Sequence, residues 1–436
     1  MLSANLTMYK KIKLSLLLGT FATGIAQAQT ENSPYSRYGL GDQLPSQNIL
    51  TRALGGVSAA YSDILTVNFT NPSSYARLKR ATLDFGLEID SRTLRVTDPP
   101  AKFNSVSPII SYVQLGLPLS QKKNWGMNIG LRPINRINYK LEKNERLPGI
   151  DSVNTLFEGN GGTYEVYTGT GFDIIKNLSV GFNVGYLFGS KDYSSSRSFI
   201  ADSSNVFYYP GKQTNNTSYG GISGNAGLQY TIKTSKKSML RLGAYGSIKR
   251  NIRATSDERV ETYSTNANGT DSIDVVKNET ISGKISYPAT TGFGFIYHGS
   301  DRWLVGADYS QTRWSQYRYF GQNDLVQDSW TLHFGGQYLP DFVSAKSYWG
   351  RVTYRAGLSF GKDYVKADGD LPVWTGSLGL GLPMRPPSYS NQYSMINMTI
   401  EFGRRGNNSN IIRENFFRLA MGLTLSDIWF VKRKYD

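Results

Sequence analysis

Cysteine is absent from this chain of 436 residues, and histidine occurs only at positions 298 and 333. The absence of cysteine excludes a disulfide framework and a thiol nucleophile, so stability must come from another source, such as closure of a sheet. Neither histidine stands in a Ser-His-Asp order or at a metal-ligand spacing. We therefore predict that the protein is not an enzyme and uses no cofactor or metal.

Long apolar runs are also scarce, and the one run of note lies near the N-terminus. Three lysines, at positions 10, 11 and 13, precede the apolar stretch LSLLLGTFATGIA, and Ala26-Gln27-Ala28 supplies small residues for signal peptidase. This pattern predicts a secretory signal over residues 1–28, cleaved before Gln29. An uncleaved anchor is the alternative, but the run is shorter than the ~20 residues that a spanning helix requires.

Positive charge exceeds negative charge along the chain. There are 48 basic and 33 acidic residues, and removal of the signal leaves 45 basic residues and a net charge of +12. No run of Lys and Arg falls on one predicted helix face, and the protein is predicted to be exported, so nucleic acid is not expected as a partner. Anionic outer-membrane lipid and lipopolysaccharide fit this charge better.

Glycine and aromatic residues are abundant, with 45 Gly, 29 Tyr, 20 Phe and 7 Trp, although the mean hydropathy is only −0.37. From about residue 80 the chain repeats a single pattern, in which about ten residues alternate apolar with polar and a turn follows. The stretch ATLDFGLEID is an example. If the polar face points inward, we predict that it lines a lumen with Asp84, Glu88, Asp90, Arg241, Arg351, Arg355, Glu401 and Arg418.

The connections between strands distinguish a membrane barrel from a soluble sandwich. About fourteen candidate strands begin near residues 80, 107, 124, 162, 177, 217, 238, 277, 302, 328, 348, 373, 393 and 415, with twelve and sixteen as alternatives. Early gaps alternate between short ones, such as SQKKN, and long ones at 96–106, 141–161, 190–216 and 255–276. This asymmetry is typical of outer-membrane barrels. We predict an all-β fold, a transmembrane antiparallel β-barrel over residues 80–426, with both termini on the periplasmic side.

Two segments fall outside the barrel pattern. Residues 29–79 do not alternate, yet they contain apolar residues that must be covered, and we expect them to fold into the lumen as a plug. The chain ends in SDIWFVKRKYD, so residues 427–436 form a predicted basic periplasmic tail.

Two stretches resemble the FadL-type outer-membrane transporters of fatty acids and aromatic hydrocarbons. TRALGGVSAAYSDILTVNFTNPSSYARLKRATLDFG, residues 51–86, is similar to the family's plug, and ISYPATTGFGFIYHGSDRWLVGADYSQTRWSQY, residues 285–317, is similar to its paired strands. The family usually has Asn-Pro-Ala where this chain has Ser73. The matching plug positions are Arg52, Gly55, Gly56, Asp63, Asn71 and Pro72.

The resemblance implies passive uptake of a hydrophobic small molecule, fatty-acid-like or hydrocarbon-like, through a plugged barrel with a lateral exit. Pro133 interrupts the third candidate strand, where a proline removes a ladder hydrogen bond. In the resembled family a kink in this strand opens the wall sideways, so Pro133 is a lateral-gate candidate; otherwise it marks a strand end. The alternative function is a FadL-like accessory subunit of a secretion or outer-membrane assembly machine, with an envelope protein as partner.

Overall fold

A computed structural model describes residues 32–97, 100–148, 152–200, 208–266, 269–300, 302–341, 347–366, 369–384 and 392–428. The predicted signal and residues 429–436 of the predicted tail lie outside these ranges. Within them, no helix combines the length and the apolar character needed to cross a membrane.

Fourteen antiparallel strands form a closed wall, which confirms the predicted fold class. β7 and β8 are each broken into two segments, β8 at Pro288. Closure comes from β14 pairing with β1, from Ile412↔Val96 to Asp427↔Ala81. The strands are β1 Ala81–Val96, β2 Ala101–Ser120, β3 Trp125–Arg146, β4 Ser152–Ile175, β5 Leu178–Ile200, β6 Gly211–Lys233, β7 Ser238–Ser247 with Arg250–Asn266, β8 Gly269–Tyr287 with Thr290–Gly299, β9 Trp303–Thr312, β10 Ser329–Tyr338, β11 Thr353–Lys362, β12 Pro372–Pro383, β13 Tyr393–Arg405 and β14 Ile412–Asp427.

The period-2 pattern places apolar side chains on the outside of the wall and polar ones inside. In β1, Leu83 and Leu87 are 43% and 37% exposed, whereas Asp84 and Glu88 are buried. A soluble sandwich would show the reverse arrangement, because its apolar faces pack together. Lipid-facing apolar residues around a polar interior are the pattern of a membrane barrel.

The strands of the wall differ in length, and those on one side are more than twice as long as those on the other. β4 has 24 residues and β5 has 23, whereas β9 to β11 have 10 each, and a span needs about 9–11 residues. In the described residues, the predicted long loops at 96–106, 141–161, 190–216 and 255–276 are therefore mostly strand, which corrects the sequence interpretation. Beyond the membrane both faces of a sheet meet water, so the ladder continues without the apolar alternation that identifies a spanning strand.

Four short connections lie at one end of the barrel: residues 121–124, 176–177, 234–237 and 300–302. We call this the short-turn end, and the opposite one the long-loop end; in outer-membrane barrels the short turns face the periplasm. β14 ends at the short-turn end, as predicted. Asn32, however, donates from Nδ2 to the carbonyl of Lys140 at 2.9 Å, high on β3. The expectation that the N-terminus also lies at the short-turn end is therefore wrong for the described residues.

Residues 32–80, called the N-terminal segment below, pass through the interior of the barrel. They contain the 3-10 turn Pro34–Arg37, the short helix Ile49–Arg52 and the 3-10 turn Pro72–Arg77. Inward-facing glycines make room for this backbone: a Cβ on Gly335 would collide with Leu54, one on Gly243 with Ala59, and one on Gly126 with Tyr75. These glycines belong to β10, β7 and β3, so the segment is surrounded by the wall.

Candidate functional site

Arg52 joins the N-terminal segment to two strands of the wall. Its guanidinium forms a bidentate pair with Glu401 of β13, with Nε–Oε1 at 2.9 Å and Nη2–Oε2 at 2.7 Å, and also pairs with Glu88 of β1. All three side chains are buried. Burial lowers the pKa of Arg52, but the carboxylates of Glu401 and Glu88 outweigh that effect and raise the pKa well above its ordinary value. Arg52 is therefore a fixed, buried cation between the N-terminal segment and the wall.

The ion pairs continue from Glu401 towards the long-loop end. Arg418 lies 3.6 Å from Glu401 and 3.2 Å from Asp90, and Arg92 donates from Nε to Asp90 at 3.0 Å. Arg92 also contacts Asp42 of the N-terminal segment, with Nη1–Oδ2 at 2.8 Å. Each of these acids is therefore held by at least one guanidinium.

Asp42 is the second point at which the N-terminal segment is clamped to the wall. Besides Arg92, it accepts from Nη1 of Arg405 at 2.8 Å, and Arg405 in turn pairs with Asp363 and Glu414. Burial raises the pKa of the Asp42 carboxyl, but the guanidiniums of Arg405 and Arg92 hold it below its ordinary value. Glu414 accepts from the Ser33 hydroxyl at 3.0 Å, so the network reaches the start of the segment.

Asn71 caps the 3-10 turn that begins at Pro72. Its side-chain oxygen accepts from the amide and the hydroxyl of Ser73 at 3.2 and 2.7 Å. Its Nδ2 donates to Ala59 at 2.6 Å and to the carbonyls of Leu228 and Ala244 at 3.3 Å each. Asn71 therefore links two parts of the N-terminal segment to β6 and β7, and Pro72 sets the start of the turn because its φ is fixed and it needs no donor.

Tyr75, in the same turn, is buried against the wall. Its hydroxyl donates to Asn183 at 3.1 Å and accepts from Asn128 at 3.3 Å. Burial raises the pKa of the Tyr75 hydroxyl to about 12, although these amides lower it. The turn is thereby connected to β5 and β3.

The Gly55-Gly56 turn lies against β10 to β12. Both residues have positive φ, +67° and +96°, which favours glycine. The Gly55 amide donates to Ser377 at 3.1 Å, and its carbonyl lies 2.7 Å from Nδ1 of His333. Asp63 has a local role instead: its carboxylate accepts from the amide of Leu65 at 2.8 Å.

Of the remaining predicted lumen residues, three bond within the barrel and one, Arg351, lies outside the wall strands. Arg241 donates to the carbonyl of Ser62 at 3.2 Å, and Arg355 bonds Gln337 and Asn397 at 2.8 and 3.0 Å. Asp84 is buried and accepts from Gln114. Arg351 lies in the 3-10 turn Tyr348–Arg351 before β11, at the short-turn end, and so is not part of a wall strand.

The wall is interrupted between β2 and β3. Their ladder runs from Ser120↔Trp125 to Val113↔Leu131. Beyond that point, residues 101–112 and 132–146, all described, show no pairing with each other. Pro133 stands where the ladder ends, at a β-bulge in the β3–β4 register between Pro133 and Asn135. Proline lacks the amide that a ladder needs and is tolerated at a bulge; β3 continues past it to Arg146, so Pro133 does not mark a strand end.

The N-terminal segment covers the edge of β3 that the interruption exposes. Asp42 and Gln43 form a two-residue strand paired with Arg136 and Asn135. Backbone bonds on either side extend this contact: Leu44 N donates to Ile134 O at 3.0 Å, and Ser33 N to Asn138 O at 2.9 Å. Across the gap, Arg136 reaches Ser107 of β2. The strand edge is thus paired by the chain's own N-terminal segment.

A cavity of about 420 Å³ lies inside the barrel at this interruption. Its lining includes Pro133 and Ile134, with Asp42 to Gln47 of the N-terminal segment, and it is rich in charge. The Nε atoms of Arg250, Arg405 and Arg418 are all buried without a hydrogen-bond partner in the described residues. Arg405 and Arg418 are held by carboxylates, whereas Arg250 stacks on Tyr287 at 5.3 Å. The charged residues that line the cavity are Asp42, Arg92, Arg132, Glu165, Arg250, Lys362, Asp363, Arg405, Glu414 and Arg418.

Sequence reasoning did not single out Arg92, Arg405, Glu414, Asp42 or Arg250. The first three lie on the polar faces of β1, β13 and β14, so the alternation that selected Asp90, Glu401 and Arg418 could have included them. Asp42 and Arg250 carried no such signal, because the first lies outside the repeat and the second follows the break in β7. Among the described residues, no group of His, Cys, Asp or Glu is placed to hold a metal ion.

Solved structures with similar folds include a FadL homologue and toluene transporters. A Pseudomonas aeruginosa FadL homologue superposes with a TM-score of 0.60 at 13% identity, over 89% of this chain and 99% of that one. The Pseudomonas putida toluene transporter TodX gives 0.56 at 16%, over 89% and 100%. The Ralstonia pickettii toluene transporter TbuX gives 0.53 at 15%, over 88% and 99%. A search of curated proteins found no match.

The family comparison covers nearly the whole chain. The family model described as BamG matches residues 8–436, and the fold is that of the FadL-like barrels. The protein is an outer-membrane β-barrel, and the chain belongs to the BamG family, a FadL-like family.

Proposed function

We propose that this barrel takes up a small amphipathic molecule, fatty-acid-like rather than a plain hydrocarbon, and releases it sideways between β2 and β3. The observation that carries the proposal is the interrupted β2–β3 ladder beside Pro133, next to an internal cavity. A break in the wall at membrane level gives an apolar chain a route into lipid. The names of the similar structures, monoaromatic hydrocarbon channel and toluene transporter, describe those proteins. By analogy they support a hydrophobic ligand, whereas the polar head group is argued from the cavity of this chain.

The lining of the cavity favours an anionic head group. A pure hydrocarbon would gain little there, because it would leave charged side chains without water or a partner. Arg250 offers a guanidinium whose Nε has no hydrogen-bond partner in the described residues, and a guanidinium matches a carboxylate with two parallel hydrogen bonds. A fatty-acid-like ligand would place its carboxylate against Arg250 and its apolar chain towards Pro133 and Ile134. Both halves of the ligand would then have a suitable environment.

In this proposal the N-terminal segment is the gate. It pairs with the exposed edge of β3 through Asp42 and Gln43, so exit through the gap requires this short strand to detach. Detachment breaks the two pairs of this strand, the flanking backbone bonds of Leu44 and Ser33, and the ion pairs of Asp42 with Arg92 and Arg405. These are fewer contacts than a full ladder elsewhere in the wall. The bulge at Pro133 keeps β2 and β3 apart above Leu131 and leaves the gap available.

A disulfide between the short strand and β3 tests the gate. The chain has no native cysteine, so no other disulfide can form within the variant. Gln43 and Asn135 are direct register partners, and such partners have Cα atoms about 4.5–5.5 Å apart, within the ~4.4–6.8 Å range of disulfides. We expect the oxidised double variant Gln43→Cys/Asn135→Cys to take up radiolabelled dodecanoate roughly tenfold more slowly than its reduced form, in cells that lack their own fatty-acid channel. The single variant Gln43→Cys, equally oxidised, is the control.

Binding is measured separately from passage. Arg250→Leu should weaken binding of dodecanoate by purified protein and leave binding of dodecanol unchanged, because only the former carries a carboxylate. Equal uptake by the locked and reduced forms contradicts a lateral exit. Purification of a stoichiometric envelope-protein complex that binds no dodecanoate would instead favour the accessory-subunit alternative.

A further inference from the structure

The outer face of β9 to β13 carries an apolar groove at the short-turn end of the wall. Its volume is about 790 Å³, within the range of small-molecule sites. Its floor is formed by Gly336 and Ala356, the smallest outward residues that line it. The bulkier side chains around them are Trp303, Val305, Tyr338, Tyr354, Leu378, Leu380, Met398 and Ile400.

The missing side chain at Gly336 creates the depression. A Cβ at this position would lie 3.6 Å from the carbonyl of Leu304 and 3.7 Å from Val305, which is ordinary contact. The position therefore tolerates a larger residue, and glycine is not required there by backbone conformation or by crowding. The wall is locally thin because the side chain is absent.

Aromatic residues place the groove at a membrane–water interface. Trp303 and Tyr338 are 42% and 50% exposed at its rim, and Trp349, in the connection below it, is 60% exposed. The Tyr354 hydroxyl donates to the carbonyl of Trp349 at 3.2 Å, which ties this connection to the groove. Exposed Trp and Tyr gather at the level of lipid head groups.

Basic residues line the short-turn end beside the groove. Arg302 precedes Trp303 directly, and its carbonyl accepts from the amide of Leu339 at 2.6 Å. The neighbouring turn is held by Ser300, whose amide donates to the carbonyl of Lys237 at 3.0 Å, so Lys237 lies near Arg302. In the described connections at this end the acidic residue is Asp341, and the basic ones are Lys122, Lys123, Lys176, Lys236, Lys237, Arg302 and Arg351.

We propose that the groove is a binding site for an anionic glycerophospholipid of the periplasmic leaflet, with an acyl chain over Gly336 and Ala356 and the phosphate beside Arg302 and Lys237. The charge complementarity selects this occupant: a basic rim attracts anionic head groups, and the apolar floor takes the chain. Lipopolysaccharide, which the net charge alone also allowed, lies in the other leaflet. The site is separate from the lumen and does not depend on the proposed uptake.

Native mass spectrometry of full-length protein released from nanodiscs of equal phosphatidylglycerol and phosphatidylcholine tests the site. Wild type should retain one phosphatidylglycerol per barrel, at least fivefold more often than phosphatidylcholine. Gly336→Leu, which fills the groove, should reduce retention of phosphatidylglycerol fivefold or more. The matched control is Ala226→Leu, since Ala226 is exposed on β6 on another side of the wall.

A second variant separates the head group from the chain. Arg302→Gln should abolish the preference for phosphatidylglycerol over phosphatidylcholine, whereas Lys122→Gln, at another turn of the same rim, should preserve it. Heat-modifiable migration in gels establishes that each variant is a folded barrel. Equal retention by Gly336→Leu and Ala226→Leu overturns the groove, and equal retention of the two lipids by wild type overturns the anionic preference.

Discussion

Arg52 and Glu401 lie 349 residues apart in sequence and form a buried bidentate ion pair between the N-terminal segment and β13. Arg52 also pairs with Glu88 of β1, so one side chain holds two buried carboxylates of the lumen, of which Glu401 has Arg418 as a further, more distant partner. This cation connects the interior segment to both sides of the β13–β14–β1 sector.

Replacing Arg52 with methionine should loosen the N-terminal segment more than it weakens the wall. Leaving a buried charge unpaired costs about 3–5 kcal/mol; here Glu88 loses its ion-pair partner, and Glu401 loses its bidentate partner and keeps only Arg418 at 3.6 Å. We expect a raised single-channel conductance in planar bilayers and a lower temperature of heat-induced unfolding. Lys277→Met is the control, because it removes a solvent-exposed pair with Glu258. Wild-type conductance in Arg52→Met contradicts a role in holding a plug.

Asn71 should be sensitive to the loss of its donor group alone. Asn71→Asp keeps the oxygen that accepts from Ser73 but cannot donate to Ala59, Leu228 and Ala244. The Ala59 carbonyl still accepts from Gln229 at 3.0 Å, but the second carboxylate oxygen of the variant would be buried against carbonyl oxygens with no donor. An unsatisfied buried group costs about 1–3 kcal/mol, so Asn71→Asp should be destabilised at least as much as Asn71→Ala. Limited proteolysis of residues 32–80 in detergent measures the effect, with Asn104→Ala as an exposed control. Full stability of Asn71→Asp would show that these three bonds contribute little.

Gly55 should tolerate a side chain less well than another glycine of the same backbone conformation. A Cβ on Gly55 would lie 2.5 Å from the carbonyl of Phe334, whereas one on Gly321, with φ of +83°, would meet nothing within 4 Å. Both alanine variants carry the strain of positive φ, about 1–2 kcal/mol. Only Gly55→Ala adds a clash, so its unfolding temperature should fall further than that of Gly321→Ala. Equal shifts would mean that the wall moves aside.

The strand count and the inward faces could be predicted because period 2 and turn residues are local signals. Glu88, Asp90 and Glu401 follow directly from alternation with lipid-facing neighbours. The lengths of the strands could not be predicted, because residues such as Ser194 to Arg197 pair outside the membrane, where neither face must be apolar. The pairing of Asp42 and Gln43 with β3 was also hidden: it depends on a gap in the wall more than ninety positions away, and two residues give no period.

The two ends of the barrel should differ in access from outside the cell. Lys236 lies in a short turn, and Glu279 lies on the part of β8 that extends beyond the membrane at the long-loop end. In intact cells a membrane-impermeant maleimide should label Glu279→Cys and should label Lys236→Cys only after the outer membrane is opened. Epitope tags near residues 205 and 265 should likewise be accessible, and one near 235 should not. The reverse pattern would invert the orientation.

Asp42 should make the hold on the N-terminal segment dependent on pH in the acidic range. The guanidiniums of Arg405 and Arg92 hold the pKa of Asp42 below its ordinary value, against the effect of burial. A lowered pKa in the folded state means that the carboxylate contributes stability above its unfolded pKa, about 3.9, and loses it as the pH falls through the folded value. Wild type should therefore unfold at a higher temperature than Asp42→Asn at pH 7.

The difference between these two proteins should shrink steadily below about pH 4, because protonation makes the wild-type carboxyl resemble the amide. Heat-modifiable gel migration over pH 7 to 2 measures both unfolding temperatures. Asp370→Asn is the control: it removes a solvent-exposed pair with Lys362, which contributes little at any pH. A difference between wild type and Asp42→Asn that stays constant down to pH 2 would show that size or packing at this position, not its charge, holds the segment to the wall.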